Sequence, residues 1–295
     1  MTNIMLSALD FSLGYITALY KLSLLLLLLL LLTQLNPHNR RHHSTETSLL
    51  RTTNAAYRKM DHGEATILVA RGISAAFDMV VHSTLLRRLS NTFRVDDVAL
   101  EWIESYLTGR DQSVTIGSAT SQPTSCTCGV PQGSVLDPIL LTVYTSPIAK
   151  VTEAHGVSQQ QYADDTQLHV AVSKLSLTTA TRNLEDCVTA LHRWFAENGL
   201  ALNPDKSEAM LMSTAQRAKE FSSIRTVSIA GSSIKIASHI RLRRVTLDVN
   251  LNFNAHIKNV CRVSYFQIRA LRQIHSSITK NMANSRRVCV NSVTS

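Results

Sequence analysis

The sequence predicts an α+β fold, and three observations lead there. Short strand-like runs and longer helical patterns are mixed, without the regular alternation of a doubly wound sheet. Two extended arms, Gln160 to Val170, flank the adjacent carboxylates Asp164 and Asp165, the pattern of a β-hairpin charged at its tip. Apolar residues recur at helical spacing in several segments, among them Leu184, Val188, Leu191 and Phe195.

Taken in chain order, the elements follow from local chemistry. Ser44 to Met60 predicts a helix capped by Ser44 or Thr45. Thr66 to Ala70 is a short apolar run, expected as a buried strand. Asp78 to Leu89 returns to helical spacing, and Asp97 to Tyr106 is a second helix closed by Thr108-Gly109. Val114 to Ile116 is strand-like. Gly129-Val130-Pro131-Gln132-Gly133-Ser134 is a turn-rich loop that feeds an apolar helix from Pro138 to about Thr145. The helix ending near Phe195 has Gly199 placed to close it in the left-handed conformation. Strands are expected near Thr226–Ile229 and Val245–Leu247.

The final predicted helix, about Ala255 to Ile278, has two faces. At 100° per residue Lys258, Arg262, Tyr265, Arg269 and Arg272 share one narrow arc, while Val260, Val263, Leu271 and Ile274 lie opposite. One side is expected to bury and the other to meet phosphates.

At 295 residues, 44% hydrophobic and 17% charged, the chain can bury a large core and is not compositionally disordered. Its net charge of +9 is uneven: from Gln216 to Ser295 there are 14 Lys and Arg against two acids. A basic final third points to a polyanion, nucleic acid first and an anionic membrane second. The five cysteines show no zinc spacing and are read as reduced thiols of an intracellular protein, in cytoplasm or nucleus.

Phe11 to Leu35 is nearly all apolar and contains nine consecutive leucines, Leu24 to Leu32. It passes the roughly 20-residue threshold for spanning a bilayer. Lys21 costs about 2.5–3.5 kcal/mol at mid-membrane, which the leucines could offset. Insertion would give a membrane contact through residues 11–35, with Arg40 and Arg41 keeping everything downstream cytosolic. The alternative is low-complexity sequence with no role.

Alone, Tyr162-Ala163-Asp164-Asp165 is a weak signal, because adjacent aspartates in a turn are usually solvated or capping. Its neighbours sharpen it. His43 to Thr47 with Leu49-Leu50-Arg51, Ser74-Ala75-Ala76-Phe77-Asp78 with His82, Trp102 through Gly109-Arg110, and Gly129 through Leu136 precede it. Trp194, Asn198-Gly199-Leu200, Leu202 through Lys206 and Val245 through Asp248 follow it. In this order, over about His42 to Lys280, the chain resembles the reverse transcriptases of LINE-type (non-LTR) retrotransposons. Nothing in the first 35 residues shares the resemblance.

The resemblance implies a right-hand palm/fingers polymerase fold with an incomplete thumb, preceded by an apolar N-terminal helix. Residues 1–36 would be that apolar segment, 37–215 the fingers and palm, and 216–295 the end of the palm and a partial basic thumb. It implies RNA template, DNA primer and deoxynucleoside triphosphate as partners and Mg²⁺ as cofactor, held by Asp164 and Asp165. Two such ions activate the attacking hydroxyl and neutralise phosphate charge. Pro131, Gln132, Gly133 and Lys206 are implied at the nucleotide, and Lys258, Arg262, Arg269 and Arg272 at the nucleic acid.

The match breaks at one consequential place. The family's first palm motif reads L-D-L-S-A-A-F-D, and its first aspartate is a metal ligand; here that position is Gly72, beside Arg71. Asp78 lies six residues on, about 20 Å along an extended strand, and cannot replace it. Magnesium is therefore expected to bind weakly, and polymerase activity to be lost. Asp137 replaces a glycine and, with Pro138 at the first helical position, is expected to cap the following helix. Arg243 and Arg244 replace the family's Leu-Gly before Val245-Thr246, where the resemblance implies a primer grip that two cations would distort, unless they face solvent. Little thumb follows Lys280, as in a decayed, truncated element. Three functions compete: an RNA-directed DNA polymerase domain, a nucleic-acid-binding remnant without chemistry, and a membrane-anchored protein with a vestigial polymerase portion.

Overall fold

The structure, a computed structural model, describes residues 44–74, 76–134, 136–162, 165–202, 207–221, 223–229 and 232–274. The leucine tract, Asp164, Lys206 and the end of the predicted last helix lie outside the described residues. Among the described residues no helix is long and apolar enough to cross a membrane.

Helix α1 (Thr45–Asp61) begins with a reciprocal cap: the Thr47 amide donates to Ser44 Oγ and the Ser44 amide to Thr47 Oγ1. It leads into β1 (Ala65–Ser74), the centre of the molecule. Around it a sheet forms in the order β10 (Thr226–Ile229), β11 (Ser232–Ala237), β9 (Glu208–Met212), β1, β7 (Asp165–Val172), β6 (Ser158–Tyr162); the short β8 (Ala201–Leu202) pairs with the end of β1. β1 runs antiparallel to both β7 and β9, and β11 parallel to β9.

The apolar run of β1 reflects cover on both faces. Ala65, Ile67, Val69 and Ile73 enter the large core with α6 (Leu177–Glu197), whose Leu184, Cys187, Val188, Leu191 and Phe195 face the sheet. Burial pushes the Cys187 thiol up to about 11, so it sits there as a small apolar group. Leu68 turns to the other face and joins a smaller core with Ala56 of α1, Met210, Met212 and the hairpin of β12 (His239–Leu242) and β13 (Val245–Asp248). Truncating a leucine so enclosed costs about 2–5 kcal/mol.

Three helices pack beside the large core: α2 (His82–Phe93), α3 (Asp97–Leu107) and α4 (Asp137–Thr145). Arg88 of α2 ties α4 to α6. Its guanidinium lies 5.0 Å from the Tyr144 ring centroid and 5.6 Å from that of Trp194, and donates to Tyr144 O and Asn198 Oδ1. Gly199, at φ 69°, closes α6 as its sequence position predicts, with Leu200 N–H returning to Phe195 O.

Several local expectations are corrected. The helix expected from Asp78 starts at His82, because residues 76–79 form a turn docked against the Gly129–Ser134 loop. The strand at 114–116 shortens to β3 (Thr115–Ile116), paired with β4 (Ala119–Thr120); β2 (Asp111–Gln112) and β5 (Thr124–Ser125) add a second small ribbon. Asp137 is not the cap of α4 but its first residue: its carboxylate turns back to accept the Gly133 N–H at 2.8 Å. Neither α5 (Ile148–Ala154) nor most of the short strands was legible from periodicity. In α7 (Asn254–Ile274) Val260, Val263 and Leu271 are only half-buried, and among the described elements the helix packs chiefly on β13.

Candidate active site

The register of the sheet puts three residues in one row. Gly72 of β1 is directly opposite Asp165 of β7, and Asp165 is opposite Tyr162 of β6. Residues paired across antiparallel strands carry their side chains on the same face, with Cβ atoms about 4.5–5.5 Å apart. A side chain at position 72 would therefore stand beside the Asp165 carboxylate, on the face that also bears Tyr162. Glycine supplies none.

The next row is Ala70, Gln167 and Gln160, and it is polar where α1 covers it. Gln160 Nε2 donates to Ser48 O at 2.9 Å, and Thr52 Oγ1 lies 3.1 Å from Gln160 Oε1. The Gln167 carboxamide, in the orientation its neighbours demand, donates to Thr52 Oγ1 at 2.8 Å and accepts from Arg243 Nη1 and Nη2 at 2.9 and 3.1 Å.

Arg243 thus does not face solvent. It stands with Arg244 at the turn between β12 and β13, both in the left-handed region with φ of 47° and 70°. Arg244 is exposed, whereas Arg243 turns inward and its guanidinium lies 4.4 Å from the Tyr162 ring centroid. Burial lowers its pKa, and the charges of Asp165 and Tyr162 work against that shift. A guanidinium remains protonated regardless. Its Nε is buried and has no hydrogen-bond partner among the described residues. His169, one row further on, is pushed down to about 4, by burial first and by Arg243 second, so it is neutral at pH 7.

Whether another acid could complete a metal site depends on position. Glu208 of β9 pairs with Ala70, two strands and two residues from Asp165, about 11–12 Å between backbones; its Oε2 accepts the Arg241 N–H. Asp78 is drawn away as well, accepting from Gln132 Nε2 at 2.7 Å. No cluster of three or more His, Cys, Asp or Glu that could hold a metal ion occurs among the described residues. Pairs of divalent ions need several oxygen donors at close quarters. The row offers one described carboxylate, a bare backbone at Gly72 and a fixed cation above it, and this set does not fit such a pair.

The loop expected at the nucleotide is built on the turn after β1. Gly129 N–H donates to Val80 O and Val130 N–H to Phe77 O, both at 2.8 Å, and His82 Nε2 meets Gly129 O at 2.7 Å. Gly129 has φ 89°, and a Cβ there would lie 3.1 Å from Asp78 O, so only glycine fits without displacement. Pro131 is half-buried and Gln132 and Gly133 are exposed. A cavity of about 400 Å³ between Asp78, His82, Arg110, Cys126 and Pro131 opens beside the loop.

On α7, Lys258, Arg262, Tyr265, Arg269 and Arg272 are all exposed, as the helical spacing predicts. Arg262 Nη2 donates to Asn259 Oδ1, three residues earlier on the helix. Asp248, read in the sequence only as part of the Val245–Asp248 segment, organises the approach to this helix. Its carboxylate accepts the amides of Asn250, Asn252 and Phe253.

An α+β sheet flanked by helices on both faces is the class of fold these observations define. Solved telomerases share it: apo telomerase from Candida tropicalis, TM-score 0.54 at 12% identity over 81% of this chain and 44% of that one, and telomerase from Candida albicans, TM-score 0.51 at 13% identity over 80% and 40%. At such identities the likeness concerns the fold alone.

The family described as "Reverse transcriptase (RNA-dependent DNA polymerase)" matches residues 12–281, and the chain belongs to it. The match begins well before the expected His42 and takes in the leucine tract. Among relatives, the chain is 29% identical over 223 residues to the RNA-directed DNA polymerase from mobile element jockey of Drosophila melanogaster, covering 74% of this chain and 23% of that protein. It is 28% identical over 239 residues to the probable RNA-directed DNA polymerase from transposon BS of the same species, 79% and 26%. A type-1 retrotransposable element R2 polyprotein of Popillia japonica is 25% identical over 162 residues, 52% and 25%. The chain spans about a quarter of the length of these relatives.

Proposed function

We propose that this reverse transcriptase domain is a degenerate member of its family that holds nucleic acid without extending it. The observation that carries the reading is the register of Gly72 against Asp165. Two-metal phosphoryl transfer needs carboxylates on both sides of the ion pair, and here the strand facing the Tyr162-Ala163-Asp164-Asp165 hairpin brings none. In this reading residues 37–215 are fingers and palm and residues 216–295 the end of the palm and a basic thumb. Asp164 and Asp165 are the remaining metal positions. Pro131, Gln132, Gly133 and Lys206 flank a nucleotide site built for a deoxynucleoside triphosphate.

Binding outlasts chemistry because it draws on different residues. The exposed cations of α7 need only geometry and charge to meet phosphates of an RNA template and DNA primer. Membrane attachment through residues 11–35 rests on the leucine tract alone, and carbonate extraction of the full chain against a form lacking Leu24–Leu32 tests it.

The deciding experiment is primer extension on an RNA template with Mg²⁺, the natural chain beside Asp165→Asn. Neither is expected to add a nucleotide. Extension by the natural chain that disappears in Asp165→Asn would overturn the reading.

A further inference from the structure

We infer that Arg243 occupies the place of a cation over the Gly72–Asp165–Tyr162 row, so that loss of metal binding has two independent causes. The inference rests on the reading of that row as a disabled metal site and deepens it.

The geometry is specific to this side chain. Arg243 departs from a turn at the β12–β13 tip, yet its guanidinium reaches the Tyr162 ring and forks onto Gln167 Oε1. Tyr162 and Gln167 are the neighbours of Asp165 across and along the same face of the sheet. A cation that stacks on one, donates to the other and interacts with the Asp165 charge is fixed over the hairpin. Arg244, one residue on, makes no such approach and is exposed.

Gly72 removes one negative charge from the row and Arg243 adds one positive charge. A divalent ion approaching Asp165 then meets a bound guanidinium where the facing strand should offer a carboxylate. The same guanidinium offsets the charge of Asp165, so the hairpin is held together with no metal present. Restoring the carboxylate at position 72 would then give a new acid that pairs with Arg243 rather than with an ion. Two changes are needed to reopen the site.

A cycle of four proteins tests this: the natural chain, Gly72→Asp, Arg243→Met, and the double variant, each titrated with Mn²⁺ by calorimetry and assayed for primer extension. The double variant is expected to bind Mn²⁺ at least 10-fold more tightly than Gly72→Asp, with the gain abolished by adding Asp165→Asn. Equal affinity of Gly72→Asp and the double variant would overturn the role of Arg243 while leaving the proposed loss of activity intact. Asp165-dependent extension by the natural chain would instead overturn that underlying reading.

A measurement on the natural chain guards against a variant that fails to fold. The Arg243 Nε–H signal in an NMR spectrum is expected to be ring-shifted by Tyr162, to exchange slowly, and to move in Asp165→Asn. An Arg243 signal that exchanges as fast as that of Arg244 would overturn the inference.

Discussion

Gln132 Nε2 donates to Asp78 Oδ1 at 2.7 Å, joining the turn after β1 to the loop before α4 across 54 residues of sequence. Both side chains are exposed, so the bond contributes little to global stability, about 0.5–1 kcal/mol at most. Its effect is expected on the loop. Gln132→Ala and Asp78→Ala should each speed amide hydrogen exchange across Gly129–Ser134 while leaving the unfolding midpoint nearly unchanged. The double variant should resemble either single one. Gly129→Ala differs in kind, because its Cβ presses on the Asp78 backbone at φ 89°, and it should lower stability by about 1–3 kcal/mol in urea unfolding.

His169 makes stability depend on pH. It titrates at about 4 in the folded chain against 6.5 as the ordinary value. Between those limits the unfolded chain takes up a proton that the folded chain refuses. Stability is thus fully present above about pH 6.5 and falls as pH drops toward 4, by roughly 2 kcal/mol at pH 5. Urea unfolding at pH 7 and pH 5 measures this, and His169→Gln should remove that part of the drop. An equal drop in the variant would assign the effect elsewhere.

Charge reversal on α7 should change how binding responds to salt. For a duplex substrate each lost phosphate contact reduces the slope of log affinity against log salt by about 0.9. Lys258→Glu and Arg269→Glu are expected to lower that slope for primer–template, measured by fluorescence anisotropy between about 50 and 200 mM salt. Arg225→Glu, exposed ahead of β10, serves as the control and should leave it unchanged.

What could be read in the residues divides along physical lines. The run Thr66 to Ala70 was legible as a buried strand because both faces of β1 are covered and nothing polar interrupts it. The cationic stripe of α7 was legible because helical geometry depends on spacing alone. The pairing of Gly72 with Asp165 was approachable only through the resemblance to a known family, since strands 93 residues apart leave no local trace of their register. The buried chain from Ser48 through Gln160, Thr52 and Gln167 to Arg243 left no trace either. Each of those residues is ordinarily a surface residue, and only contacts far away in the sequence make it otherwise. The start of α2 was misplaced for a related reason: the helical pattern runs back to Asp78, but docking of the Gly129 loop unwinds its first turn.

Two successive left-handed residues without glycine form the tip between β12 and β13, and this has a thermal consequence. A side chain in that conformation costs about 1–2 kcal/mol, and the Arg244 side chain is exposed and makes no hydrogen bond or ion pair among the described residues. Arg244→Gly is expected to raise the melting temperature by roughly 2–4 °C, read by calorimetry. The turn is thus a reserve of heat resistance that the chain leaves unused, and a single codon change would draw on it.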